Sequence, residues 1–552
     1  MGSPAREADL MTRRGGVDES RCLLVLLPPE TKMQIISHLS TQNSLSRLGQ
    51  SCRAWHEVAN EELYKRDSRE NNSFAIKWMA FHAVDEQTTD SAIRTLEISR
   101  RWGGQIDAVQ PHLLQSHRAL SKRDPIMYET STALHFAVLL GNMRLTKTIL
   151  DMKASLTIQC SPVLWRSMGS KELSRKVEYF RRVLNGLFNP SGPVFPLFLA
   201  FLQGDTGMCE LLVEHGAGRE AIIVDSDTDP KAMSILHFAA ADPTTDYRQW
   251  RCLFDRFREH IDEPSPQLAR YTPLHIALKT GCTQGMQIAV ESGADKESRS
   301  DVLHTPLSLG IQELKFQWNM DSRTFEEHMR CLRKFVDLGA SVNPEGDSPL
   351  GIAMRPYMLD PVNYPLMRHV IYFLLEHHVD INRPLLLPYE SVVFGIIRGI
   401  ILNDKNRRSL KLLKQLLTDL IDRGLNITAV PGQTSPLYRV LINRKAEPKW
   451  LFDLLCEKGA TIHAYEVDGA FLRWCDISRF WRKNKYNAWW QHQGQEDEIF
   501  QKWCEHPYNA WWWQHVKKIP PYVVSLAYEK APNKKGQLYD ILTHLPLSKL
   551  GL

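Results

Sequence analysis

Histidine is the side chain in this sequence best suited to acid–base or metal chemistry, and three histidines share one setting. His135, His237 and His275 each stand fourth in a short pattern: Thr132-Ala133-Leu134-His135, Ser234-Ile235-Leu236-His237 and Thr272-Pro273-Leu274-His275. A catalytic His needs a reacting group within hydrogen-bond reach, and a zinc site needs ligands at regular close spacing. Recurrence of His beside the same Thr or Ser and the same Leu points instead to a ring that makes hydrogen bonds inside a repeated unit. Cys475, His492, Cys504 and His506 can be arranged into a metal set on paper, but their irregular spacing argues against it. The sequence carries no Gly-x-Ser-x-Gly elbow, no His-Glu-x-x-His and no P-loop Lys. These residues support neither catalysis nor a cofactor or metal, so the chain reads as a non-catalytic protein.

The stretch 271–298 shows what holds such a His. Thr272 is placed to cap a helix through its hydroxyl, and Pro273 suits the first helical position, where a missing N–H costs nothing. Leu274, Ile276 and Ala277 give one apolar face. Gly281 stops this short helix, because Gly accepts the left-handed backbone. A second helix carries Met286, Ile288, Ala289 and Val290 and ends at Gly293-Ala294-Asp295. Two helices this short cannot bury their apolar faces alone and need stacked neighbours. The neighbours are present. Leu134, His135 and Ala137 lead to Gly141; Pro196 and Leu197 lead to Gly204; Leu236, His237 and Ala239 form another copy. Thr305-Pro306-Leu307 closes at Gly339, Ser348-Pro349-Leu350 at Val379-Asp380, and Ser435-Pro436-Leu437 at Gly459; a weaker copy runs from Ser391 to Gly424.

The unit resembles an ankyrin repeat, whose period is about 33 residues. Starts fall at 132, 195, 234, 272, 305, 348, 391 and 435, and only the step from 272 to 305 equals that period; the others carry insertions. The resemblance implies an all-α solenoid over 131–464 with strand nearly absent. In it Thr132, Leu134, His135, Ala137, Leu236, His237, Ala239, Thr272, Pro273, Leu274, His275, Ala277, Gly281 and Gly293 are structural. The concave side and the residues ahead of each pattern, such as 297–302, are where a partner protein is expected.

Residues 22–64 form a second informative stretch. Pro28-Pro29-Glu30 opens a helix, Met33, Ile35, Ile36 and Leu39 give it an apolar face, and 40–43 turn the chain. Leu45 and Leu48 mark a second helix; Trp55, Val58, Ala59 and Leu63 mark a third. A unit of about 40 residues has a marginal core and is expected to bury further apolar surface against a partner. The stretch resembles an F-box. Leu27-Pro28-Pro29-Glu30, then Ile35, Ile36 and Leu39, then Leu45 and Leu48, then Cys52-Arg53-Ala54-Trp55 follow that family's pattern in order. The resemblance implies that Leu27, Pro28, Glu30, Ile35, Ile36, Leu39, Leu45, Leu48, Cys52 and Trp55 bind the Skp adaptor of an SCF-type (Skp–cullin–F-box) ubiquitin ligase. The other reading is a helical cap on the array. An F-box joined to irregular ankyrin repeats resembles the large fungal F-box–ankyrin family. That resemblance implies a substrate receptor with a Skp-type adaptor, a cullin scaffold and a protein target of unknown identity. A non-ligase ankyrin scaffold is the alternative.

The remaining chain divides by composition. Residues 1–20 are polar and lack periodicity, as expected of a disordered end, and 21–66 hold the F-box-like unit. Residues 72–130 read as a helical linker or degenerate first repeat. Between the first two clear repeats, Leu173, Val177, Phe180, Leu184 and Leu187 predict an amphipathic helix lying on the array, with Lys171, Arg175, Lys176, Arg181 and Arg182 on a solvated basic face. The basic run Lys405, Arg407, Arg408, Lys411 and Lys414 reads as a solvated loop and helix start rather than a nuclear address. The segment 465–552 is Trp-rich, and a short motif occurs twice around Trp489 and Trp490 and around Trp511, Trp512 and Trp513. These rings are expected to cap the last repeat as a helical C-terminal segment; a binding cluster, even for glycans, is the other reading. A net charge of +5 does not argue for nucleic acid or an anionic membrane, and ten Cys without a paired Cys-x-x-Cys suit a reducing compartment. The sequence shows no targeting segment and no apolar run near the roughly 20 residues that span a bilayer, so a cytoplasmic or nuclear protein is expected.

Overall fold

The computed structural model describes residues 24–110, 126–162, 164, 169–184, 192–224, 231–243, 249–265, 268–316, 322–384, 391–403, 405–428, 434–441 and 449–460. The chain divides into two compact units, residues 1–310 with 326–340 and residues 311–325 with 341–552. The regular secondary structure among the described residues is almost entirely helical.

The first unit opens with α1 (Pro29–Ser37), α2 (Gln42–Ser51) and α3 (Arg53–Glu70). Pro28 stands just ahead of α1 and Pro29 in its first turn, as their fixed φ allows. Thr41 caps α2, its Oγ1 accepting the Ser44 N–H at 3.1 Å. α3 runs on past the apolar residues that mark it in the sequence and meets α4 (Phe74–Phe81) through a turn in which Asn72 and Ser73 are both left-handed. α5 (Glu86–Arg101) starts at a reciprocal cap between Asp85 and Thr88. After α6 (Ile126–Glu129) come α7 (Ala133–Leu139) and α8 (Met143–Asp151). Asn142 caps α8 and its Nδ2 donates to Ala83 O at 3.0 Å and Thr89 Oγ1 at 2.7 Å, so the α4–α5 pair stacks on the α7–α8 pair.

An inserted helix, α9 (Lys171–Val183), precedes the pair α10 (Pro196–Gln203) and α11 (Thr206–Glu214). A hairpin of β1 (Glu220–Val224) and β2 (Lys231–Ser234) then leads into α12 (Ile235–Ala241) and α13 (Arg251–Arg256). The hairpin is antiparallel, with Ile222 opposite Met233, and it holds the two strands found among the described residues. Its β-branched run Ile222-Ile223-Val224 favours a strand, and Ala221, Ile222 and Met233 are buried. α14 (Pro273–Thr280) and α15 (Thr283–Glu291) follow, then α16 (Pro306–Phe316) and α17 (Ser322–Asp337). The second unit holds α18 (Pro349–Leu359) with α19 (Pro365–Glu376), α20 (Val392–Leu402) with α21 (Arg407–Asp422), and α22 (Pro436–Leu441) with α23 (Lys449–Glu457).

The helix pairs have the form that the ankyrin resemblance implies. Gly281 ends α14 at φ +70°, and Leu274, Ile276, Ala277 and Leu278 are buried. His378, at φ +58°, takes the left-handed place after α19 that Gly fills elsewhere. Successive loops are tied by side chains that accept a backbone N–H from the next pair. Asp262 accepts from Asp295 at 3.0 Å in the first unit; Asn343 accepts from Asp380 at 2.7 Å and Asn382 from Asn426 at 2.6 Å in the second. A short polar side chain at this point satisfies a backbone donor that no helix or sheet pairs. Sequence periodicity gave no sign of this ladder, because its members lie outside the helices.

Candidate adaptor and partner surfaces

The N-terminal helices close around Ile36, Leu45, Trp55 and Ala59, with Leu27, Ile35, Leu39, Leu48, Cys52, Val58 and Leu63 packed partly buried against them. Ile36 and Leu45 are fully buried and Trp55 is 4% exposed. This corrects the expectation that Ile36 offers free apolar surface: it, Leu45 and Trp55 are the core that holds the surface in place. Pro28 and Glu30 are exposed, and Leu24 and Leu26 ahead of them are exposed large apolar side chains. Two cations that sequence reading passed over fix the helices. Arg66 donates from Nη1 to Leu39 O and from Nη2 to Ile36 O at 3.1 Å, pairing carbonyls at the end of α1, while its Nε meets Glu62 at 2.8 Å. Lys32 lies over the Trp55 ring at 5.8 Å. Arg66 sits three residues after Leu63 on the inward face of α3, and an Arg in that place is the signal for such a bond.

The unit is fastened to α4 and α5. Asp67 is 5% exposed and its Oδ2 accepts the Ala75 N–H at 3.1 Å at the start of α4; Ser68 Oγ donates to Gly103 O at 2.5 Å, just past the end of α5. Lys77 is buried and donates to Tyr128 O at 2.6 Å; desolvation lowers its pKa to about 8 against the pull of Asp67.

The recurring histidines tie each first helix to the loop that follows its helix pair. The Thr272 N–H donates to His275 Nδ1 at 3.3 Å, so Nδ1 is an acceptor and Nε2–H donates to His304 O, 3.0 Å away in the loop ahead of α16. His135 repeats this with Thr132 at 3.1 Å and Ile158 O at 3.1 Å. His237 Nε2 reaches Tyr271 O at 3.0 Å. Burial holds His135 and His275 down to about 4 and lowers His237 as well. The sequence placed these bonds inside one repeat, and by its repeat starts they stay there. What it did not show is that the second bond reaches a loop past the helix pair, because the acceptor is a backbone carbonyl that no side-chain pattern reveals. In the loop 297–302, Asp301 N–H donates to Ala269 O at 2.9 Å, and Val302 and Leu303 are 54% and 53% exposed, with Leu303 at φ +62°.

Residues 24–70 match the family model described as F-box-like. No curated protein matches the chain. Solved structures similar to it include the ankyrin repeat domain of Bcl-3, described as a unique member of the IkappaB protein family, at 17% identity over 51% of this chain and 98% of that one, TM-score 0.31. The human ASB11 ankyrin repeat domain is 16% identical over 61% of this chain and 96% of that one, TM-score 0.24. A predatory endopeptidase of Bdellovibrio bacteriovorus, Bd0816, in complex with immunity protein Bd3460, gives 14% identity over 47% and 97%, TM-score 0.29. The F-box-like unit is followed by an array of paired helices. Among the described residues no helix is long and apolar enough to cross a membrane, and no group of three or more His, Cys, Asp or Glu is placed to hold a metal. Trp489, Trp490, Trp511, Trp512 and Trp513, the Cys475–His506 set and the polar N-terminal end lie outside the described residues.

Proposed function

We propose that this chain is the substrate-receptor subunit of an SCF-type ubiquitin ligase, of the kind the fungal F-box–ankyrin family supplies. The F-box-like unit binds a Skp adaptor and through it a cullin scaffold; the ankyrin array binds a target protein in the cytoplasm or nucleus. The observation that carries the reading is the F-box-like match at 24–70, in which Leu27, Ile35, Leu39, Leu48 and Cys52 stay only partly buried beside exposed Leu24, Leu26 and Pro28. The receptor does no bond chemistry. It holds a target lysine near a charged conjugating enzyme and so raises its effective concentration. A second reading, a scaffold whose first helices only cap the array, is favoured by the bonds that Asp67 and Ser68 make at the start of α4 and the end of α5.

The double substitution Leu27→Ala and Pro28→Ala separates the two. It leaves Ile36, Leu45, Trp55 and Ala59 in place and, of the side chains packed partly buried against them, trims only Leu27. The unit is therefore expected to stay folded, which cooperative unfolding of the variant checks. Under the ligase reading it abolishes co-purification of adaptor and cullin, keeps array partners bound, and lets a target accumulate. A folded wild-type chain that never captures an adaptor leaves the scaffold reading standing and removes ours.

A further inference from the structure

The inserted helix α9 sits on the array as a ligand sits in a site. Its Leu173, Phe180 and the following Leu184 are fully buried. The Phe180 ring lies 5.9 Å from Phe201 and 5.5 Å, edge-on, from Phe238. Ser170 Oγ donates to Gln203 Oε1 at 2.6 Å, and Tyr179 OH donates to Ala241 O at 2.9 Å. These contacts cover the ends of α10 and α12. In α14 the last two residues before Gly281, Lys279 and Thr280, stay half-buried, whereas the matching Ala241 and Asp242 are buried.

Lys176 makes the decisive contact. The sequence assigned it to a solvated basic face; it is instead 11% exposed, with Nζ 2.9 Å from Asp242 Oδ2. The ammonium lies 4.9 Å from the centre of the Phe201 ring and 4.7 Å from that of Trp250, and reaches Phe201 O at 3.4 Å. Trp250 Nε1 donates to the same Asp242 oxygen at 2.7 Å and so aims the carboxylate. Every wall of this cage belongs to α10, the end of α12 or the approach to α13; α9 contributes only the cation. A buried ion pair adds little net stability over apolar residues of the same volume, but leaving Asp242 without its cation is costly. The cage therefore selects what may lie on this face more than it strengthens the fold.

We propose that α9 is an internal pseudo-ligand, and that the α10–α12 face beneath it is a docking site for a target helix of the same chemistry. That helix is amphipathic and presents a Lys with apolar residues one and four positions later, as Lys176, Val177 and Phe180 do. The proposal rests on the reading that the array holds a target. Tethered in the chain, α9 acts at an effective concentration of order mM, so only a helix that outcompetes it gains the site.

The test uses the full chain and a fluorescent peptide of residues 169–184. Lys176→Met with Phe180→Ala empties the cage and weakens the internal helix. This variant should bind the peptide at least about tenfold more tightly than wild type, an increment that binding assays resolve readily. Adding Asp242→Asn, or placing Met at the Lys position of the peptide, should remove that gain. No binding by a double variant that still unfolds cooperatively, equal binding by wild type, or binding that survives Asp242→Asn overturns the proposal. If the double variant melts, Lys176→Met with Tyr179→Phe keeps the apolar contacts and must show the same order of affinities. Adaptor capture by the same preparations is scored separately: its loss sinks the ligase reading and leaves the peptide result untouched.

Discussion

Single residues set how closely the helices approach. A Cβ built at Gly285 would stand 1.9 Å from Ala240 O and 2.5 Å from its carbonyl carbon, so α15 rests on the backbone of α12. Gly216 has open space around it and only its φ of +92° to defend. We expect Gly285→Ala to cost roughly 1–3 kcal/mol through forced separation of packed helices, and Gly216→Ala about 1 kcal/mol from the left-handed backbone. Urea midpoints of the two variants check this; an equal cost would show that the α12–α15 contact is not tight. Lys176 teaches the opposite lesson about reading a sequence. It lies three residues after Leu173 and four before Phe180, hence on the buried side of α9, but its charge sent it to the polar face. Only the cage of Phe201, Trp250 and Asp242, drawn from distant segments, makes burial of that charge affordable.

At the scale of the element, the parts of the chain governed by local rules were legible. Thr272, Pro273 and Gly281 bound α14 where capping and left-handed preference place them, and the apolar spacing of 173, 177 and 180 gave α9. The bonds joining one element to the next were not legible: the Asp262–Asp295 bond and the carbonyls of Ile158, Tyr271 and His304 use backbone atoms, which every residue carries alike. The histidine bonds give these joints a pH dependence. His135 and His275 have folded pKa values of about 4, against about 6.5 for a free His. Between those values the unfolded chain binds protons that the folded chain does not, so stability falls as the pH falls through that window. The loss is on the order of 3 kcal/mol per ring by pH 4. Asp67 and Asp262, raised by burial, oppose it in part. His275→Gln removes one ring, and we expect its stability to decline less steeply from pH 6.5 to 4.5. Parallel slopes in urea titrations of variant and wild type would mean that the ring is not held neutral.

For the whole molecule, the junction between the F-box-like unit and the array matters most. Fold class and the presence of both parts were legible because each carries its own pattern, but the stiffness of their connection was not. Only the turn at residues 71–73 separates them: α3 reaches Glu70, Asp67 accepts the Ala75 N–H at the start of α4, and Ser68 bonds Gly103 just past the end of α5. A receptor that works by proximity gains from such a joint, since effective concentration falls when a connection lengthens and loosens. Inserting about ten Gly and Ser residues after Glu70 breaks these bonds while leaving the cores of both parts intact, because repeats depend on their nearest neighbours. Adaptor capture and target capture should then persist, measured separately, while ubiquitin transfer to the captured target in a reconstituted complex slows several-fold. Transfer at the wild-type rate would show that the junction serves only to cap the first helices of the array.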